Sequence, residues 1–344
     1  MFTLKEIKEN LALSYIASAA ANVSNATPDI VYDYMQSSLE KSKATSGVFD
    51  IAWGPAVLKH VDSDEANDHV LYVVKKGSND YRLVIRGTIT LYNAIDEDYD
   101  ISQTSWSQYD PTSPSTAKIT TGTKRALDII IPGVSNNTPG EGKTLYEFID
   151  SITNNGNLIN LTVTGHSLGG FLASALALLL KSRYIGLNVQ NLNIHCCTFA
   201  APAFGNTVFA DYFDSFFDSV NNASNCLRLY NENDIVPKAW VRDTTRQINS
   251  IYSPKWQPNA AIVALIEVNL IRMDLYSDVD QFKQVSPSES FTYALDDNAS
   301  DWSAQAGIQH LNAYPANYSM SWFDVSSKND TTEGDIIVIR GSGE

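Results

Sequence analysis

Between residues 160 and 180 the chain changes its hydrophobic period at a single small polar residue. Asn160-Leu161-Thr162-Val163-Thr164 alternates as a strand does, whereas Leu168 to Leu180 is a nearly unbroken apolar block of helical length. Between them stands Gly165-His166-Ser167-Leu168-Gly169. A serine flanked by glycines, with a strand before it and a helix after it, predicts a sharp turn that lifts the hydroxyl above the carboxyl edge of a sheet. The same turn aims the first N–H groups of the helix at the reacting atom, where their partial positive charge favours an oxyanion. The apolar block is too short to cross a bilayer and contains Ser174, so it reads as a buried helix.

The surrounding pattern fixes the fold class. HVLYVVKKG and DYRLVIRG are two strands joined by a Gly-Ser-Asn turn, a hairpin signal. Downstream, helices and strands alternate. KTLYEFIDSITN carries Leu145, Phe148, Ile149 and Ile152 at helical spacing, and the strand LINLTVTG and the apolar helix follow it. NIHCCTFA, the amphipathic run TVFADYFDSFFDSV and CLRLYNEND come next. Strands separated by helices of this length require right-handed crossovers and a mainly parallel, buried sheet. The expectation is an α/β-hydrolase fold, a mainly parallel central sheet flanked by helices. Residues 1–344 form one domain, with a helical extension at 1–45 and a polar, acidic insertion at about 89–118 acting as a lid. In the extension, Val31, Tyr32, Tyr34 and Met35 form one apolar face. Residues 1–23 mix Lys and Glu ahead of a run broken by Ser14 and Ser18, and read as a surface helix without a signal peptide.

A formal charge of -15 excludes a nucleic-acid partner, which needs clustered Lys and Arg. No transmembrane segment is expected. Three cysteines cannot all pair within one chain, so Cys196, Cys197 and Cys226 read as reduced and structural. Asp96, Asp98 and Asp100 have the spacing of a calcium loop, but Ile101 stands where the required glycine would be, so no metal is expected.

A serine nucleophile needs a base, and in this fold the chain order is nucleophile, acid, histidine. Of His60, His69, His166, His195 and His310, only His310 follows Ser167 with room for an acid between them. His166 cannot easily turn back onto its neighbour, and His195 lies inside a core strand. The acid should end a strand on the same edge as the serine. Asp234 does so, before Ile235-Val236-Pro237, and Glu232 is its rival by the same logic. Asp211, Asp214 and Asp218 belong to the solvated face of an amphipathic helix.

At this point the residues resemble the class 3 lipases, the fungal-type triacylglycerol lipase family, in a bacterial-like form. GHSLGG at 165–170, TFAAPAFGN at 198–206, NENDIVPKAW at 231–240 and HLNAY at 310–314 match its signature blocks in order. The resemblance implies a triad of Ser167, Asp234 and His310. It also implies an oxyanion hole built from the N–H groups of Thr88, in the Arg86-Gly87-Thr88 turn, and Leu168. The family's lid follows that turn with Asn-Trp-Ile/Leu. Here Asn93-Ala94-Ile95 stands instead, and Leu91, Ile95 and Tyr99 form the stripe that would cover the cleft.

The expected activity is hydrolysis of triacylglycerol esters at an oil–water interface by a serine acyl-enzyme, without cofactor. A phospholipase A1, a soluble carboxylesterase and an inactive lipase-like binding module are the alternatives. Secretion without a recognisable N-terminal signal is expected, cytoplasmic residence being the alternative. The sequence leaves oligomeric state open.

Overall fold

The computed structural model describes residues 2–21, 27–58, 69–86, 101–217 and 225–320. In chain order its strands are β1 (Asp50–Leu58), β2 (His69–Lys76), β3 (Asp80–Ile85), β4 (Gln103–Ser105), β5 (Lys118–Thr120), β6 (Ile159–His166), β7 (Leu192–Phe199), β8 (Gly205–Asn206), β9 (Cys226–Asn231), β10 (Phe282–Lys283) and β11 (Ser288–Phe291). The helices used below are α1 (Leu4–Ala21), α2 (Pro28–Lys41), α3 (Thr121–Ile130), α4 (Leu145–Thr153), α5 (Leu168–Gly186), α6 (Thr207–Phe217), α7 (Arg242–Thr245), α8 (Ala260–Asp274), α9 (Trp302–Gly307) and α10 (Ala313–Asn317).

Seven strands make the central sheet in the order β1-β2-β3-β6-β7-β9-β11. The first three are antiparallel, as the hairpin signal requires, and every pairing from β3 onward is parallel. A short four-stranded sheet, β10-β8-β5-β4, stands beside it. This is the α/β-hydrolase architecture expected from the alternation of elements.

Period-two burial divides the side chains between two layers. Leu83, Ile85, Leu161, Val163, Ile194 and Cys196 face α5, which is buried along most of its length and on every side. Among the described residues α5 is the one helix long and apolar enough to span a membrane, yet the protein itself covers it. The other face carries Val84, Cys197, Phe199 and Leu229, and it is covered by α1 and α2. There the expectation of a surface helix fails. Leu11, Leu13, Ile16, Ala17 and Ala20 of α1 are fully buried, and so are the polar Asn10 and Ser14. With apolar residues on several sides, α1 carries too weak an amphipathic signal for its covered face to be read from sequence.

The expected insertion also differs. Residues 89–100 lie outside the described residues, but 101–120 are part of the packed body. Trp106, Ala117 and Ile119 are fully buried in the main core, where Trp106 meets Phe209 edge to face at 5.1 Å. Large apolar side chains hold this stretch down despite its polar average. The three cysteines are free and buried, with Cys196 and Cys226 opposite each other on β7 and β9.

The first turn of α5 meets the sheet backbone to backbone. A Cβ on Gly169 would stand 2.2 Å from the carbonyl oxygen of Ile85, and one on Gly165 would stand 2.2 Å from the carbonyl oxygen of Gly169. No flexible side chain can move aside at either point. Gly169→Ala should therefore cost more than about 3 kcal/mol in unfolding free energy. Gly186→Ala, at the end of the same helix with nothing within 4 Å of the new methyl, should be neutral or stabilising by about 0.5 kcal/mol. Urea titrations of both variants against the parent protein check the pair.

Candidate active site

β6 ends at His166, paired in register with Phe199 of β7. Ser167 follows as the residue before α5, its N–H donating to the Phe199 carbonyl at 2.9 Å. Its backbone has φ 60 and ψ -127, and its side chain makes no capping bond. A serine in this region is strained, and the surrounding contacts must impose the strain. Those contacts are the glycine approaches just described. The glycines are required for space, and the left-handed conformation falls on the serine itself. Leu168 is the first residue of α5, so its N–H is among those with no acceptor inside the helix.

β9 ends at Asn231, and the acid loop follows. Asp234 is fully buried, a position a carboxylate tolerates only with donors around it. Its Oδ2 accepts from His310 Nδ1 at 2.9 Å and from the Tyr314 hydroxyl at 2.8 Å, and its Oδ1 accepts from the Val236 N–H at 3.0 Å. Glu232, its rival in sequence, is 41% exposed and lies 3.7 Å from Lys238. Burial therefore supports the choice of Asp234 that strand-end position made and sets Glu232 aside.

His310 lies in a π-helical turn, Ile308–Asn312, between α9 and α10. Such turns insert a residue into a helix and are frequent at functional sites. Here the turn brings both His310 Nδ1 and the Tyr314 hydroxyl, four residues later, onto one oxygen. The loop is tied to the acid by Asn231, whose side-chain amide donates to Gln309 Oε1 at 2.7 Å and to the Gln309 carbonyl at 3.1 Å. From the other side, His166 Nε2 donates to the His310 carbonyl at 2.9 Å, and the two rings lie 4.6 Å apart. That donor role fixes the His166 tautomer with its proton on Nε2. Because His166 adjoins Ser167, the contact ties the end of β6 to the loop that carries His310. With Nδ1 held by the carboxylate, His310 presents Nε2 for proton transfer.

α1 contributes as well. The Tyr15 hydroxyl donates to the Leu311 carbonyl at 2.5 Å, and its ring packs 5.0 Å from that of His166. Burial, with the Asp234 charge added, drives the Tyr15 and Tyr314 hydroxyls well above the usual phenol range, so both stay protonated as donors. The sequence assigned no chemistry to residues 1–45. Tyr15 carries no motif that marks it, because its role depends on where α1 packs.

Thr88 and the lid candidates Leu91, Ile95 and Tyr99 lie outside the described residues. His195 sits on β7, with its ring edge to face against Phe2 at 6.2 Å, remote from Asp234.

Residues 82–243 match the family described as Lipase (class 3). A solved structure described as M37 lipase is similar with a TM-score of 0.81 and 27% identity, over 94% of this chain and 97% of that one. The native propeptide complex of Rhizomucor miehei lipase is similar with a TM-score of 0.51 and 18% identity, over 94% of this chain and 82% of that one. At that identity the second likeness speaks for the fold alone.

His166, which is buried, and His195, which is half-buried, make stability depend on pH. Burial, and then the neighbouring His310 ring, pushes His166 well below the ordinary 6.5, while its bond to the His310 carbonyl opposes the shift only in part. His195 moves in the same direction, chiefly by burial. Below about pH 6.5 the unfolded chain binds protons that the folded protein refuses. Stability is therefore fully present above that pH and declines as the pH falls, by about 1.4 kcal/mol per pH unit for His166, whose shift is large, and by less for His195. His166→Gln, whose amide can still donate to the His310 carbonyl, should remove the His166 share. Urea unfolding at pH 7.5 and 5.5 should give a smaller difference in the variant than in the parent.

Proposed function

The chain belongs to the class 3 lipases, and from that premise we propose that it cleaves the carboxylic esters of triacylglycerols at an oil–water interface through an acyl-enzyme on Ser167. The observation that carries the proposal is the buried 2.9 Å contact between His310 Nδ1 and Asp234, joined through His166 to the serine held in a strained turn at the head of α5. In acylation, Ser167 Oγ attacks the ester carbonyl carbon while His310 Nε2 takes the hydroxyl proton. The resulting oxyanion is held by the Leu168 N–H at the positive end of α5. Thr88, assigned from the sequence, supplies the second donor. His310 then gives its proton to the departing alcohol. In the second half-reaction His310 deprotonates a water, which attacks the acyl carbonyl and releases the fatty acid and the free serine.

Asp234 fixes the imidazole tautomer and stabilises the imidazolium that forms twice per cycle. Its two further donors satisfy the carboxylate in its buried place without competing for the transferred proton. No step requires a group beyond the chain, the ester and water.

Ser167→Ala should abolish hydrolysis of p-nitrophenyl butyrate, p-nitrophenyl palmitate and emulsified tributyrin. Asp234→Asn should reduce it by about ten-thousandfold, since an amide in place of the carboxylate favours the wrong tautomer. The parent rate should jump as tributyrin passes its solubility limit. Activity lost in Ser167→Ala but without that jump would reassign the protein to the soluble carboxylesterases. Parent and variant inactive alike on every ester would overturn the reading.

A further inference from the structure

α8 is apolar on two sides. Asn259 caps its start, accepting from the Ile262 N–H at 3.0 Å. Its inner face, Ile262, Ile266, Leu270 and Met273, is buried with Ile235 and Val236, which follow Asp234, and with Trp302 and Ala306, which precede His310. The helix is thus the outer wall of the layer that holds the acid and histidine loops.

Its outer face carries a second row. Ala264, Val268, Ile271 and Leu275 recur at intervals of four, three and four, on one side of a helix. Val268 is 45% exposed, Ile271 62% and Leu275 81%, and Val279 in the turn beyond is 52% exposed. Single exposed aliphatic residues are ordinary, but a contiguous row of large ones marks an interaction surface. The turn that ends the row is anchored: Tyr276 donates to the Ile101 carbonyl at 2.8 Å, and Asp280 pairs with Lys118 at 2.7 Å.

We infer that this row is a docking surface that seats the protein on the uncharged surface of an ester lipid. The inference rests on the lipase reading above and adds to it a place of contact outside the catalytic machinery. Two observations favour lipid over protein, and a third favours an uncharged lipid surface over an anionic one. The row borders the wall of a site whose substrate is an insoluble ester. Four partly exposed aliphatic side chains fall short of the about 800 Å² per partner that a standard protein interface buries, whereas an apolar helix face enters a lipid surface without needing a matching shape. The neighbouring cations offer no surplus positive charge: Arg242 and Arg246 lie against Asp243 and Asp274, Lys118 lies against Asp280, and the exposed Arg272 of the same helix is outnumbered by Glu267 and Asp278. With Glu267 and Asp278 also nearby and -15 on the whole chain, an anionic lipid surface would repel this face.

The test compares the parent with Val268→Ser/Ile271→Ser/Leu275→Ser, and with Leu275→Ser alone, whose side chain is too exposed to support the core. Dissolved p-nitrophenyl butyrate should be hydrolysed at rates within about twofold of the parent. The amount of neutral triacylglycerol emulsion needed to deplete half the protein from solution should rise about tenfold or more for the triple variant and less for the single one. The emulsion rate at limiting droplet surface should fall with it. Droplets coated with phosphatidylglycerol should bind the parent less well than uncoated ones. Unchanged depletion and emulsion rates in both variants would overturn the inference. So would a parent dimer in sedimentation velocity that the triple variant dissociates, since the row would then seat a second copy. Depletion is measured without turnover, so a parent inactive on every ester would defeat the lipase reading while depletion still decided the docking surface.

Discussion

The backbone-on-backbone contact between the first turn of α5 and the carboxyl ends of β3 and β6 is the constraint on which the rest depends. It demands glycine at 165 and 169, it sets the height at which α5 crosses the sheet, and it leaves Ser167 at φ 60. A buried helix could pack on this sheet in other ways, with side chains as spacers. Removing the spacers moves the helix start close enough for its N–H groups to sit beside the serine. The strain at Ser167 is the local cost of that approach, and the apolar burial of α5 against β3, β6 and β7 offsets it.

The second constraint is electrostatic. A carboxylate with no exposure to solvent must be satisfied within the protein, and Asp234 draws one donor from each of three neighbours: His310, Tyr314 and the Val236 backbone. Because two of these come from the π-helical turn and the helix after it, the histidine loop cannot shift without stranding the charge. Asn231 and Gln309 close the same loop with neutral amides. The alignment of His310 is thus a consequence of keeping Asp234 satisfied, and the geometry of the candidate site and its stability draw on the same bonds.

Much of this could be read from the sequence where local pattern and tertiary structure agree. The change from period two to a helical block located Ser167, and the Gly-Ser-Asn turn located the hairpin of β2 and β3. Chain order narrowed the base to His310 and the acid to two candidates. Position favoured Asp234 and kept Glu232 as a rival, and what removes the rival is burial, which depends on loops meeting across the fold. Trp106 was placed in a mobile cover because its neighbours are polar, whereas one large ring buried against Phe209 outweighs a polar average. The strands of the small sheet are two or three residues long, too short to show a period. α1 was misread for the opposite reason, since it is apolar on more sides than one.

That misreading bears on what the family pattern leaves out of this chain. The family match spans residues 82–243, which includes Ser167 and Asp234 but neither His310 nor α1. Yet α1 covers the face of the sheet behind the serine, and its Tyr15 bonds to the residue after His310 while packing on the residue before Ser167. His310 is therefore held from three directions, by the acid loop, by the elbow and by a helix from the start of the chain. Only the first two belong to the segment that carries the family's pattern. A helix contributing one hydroxyl and a covered sheet face leaves no motif, because many sequences can meet those demands, whereas the elbow admits few.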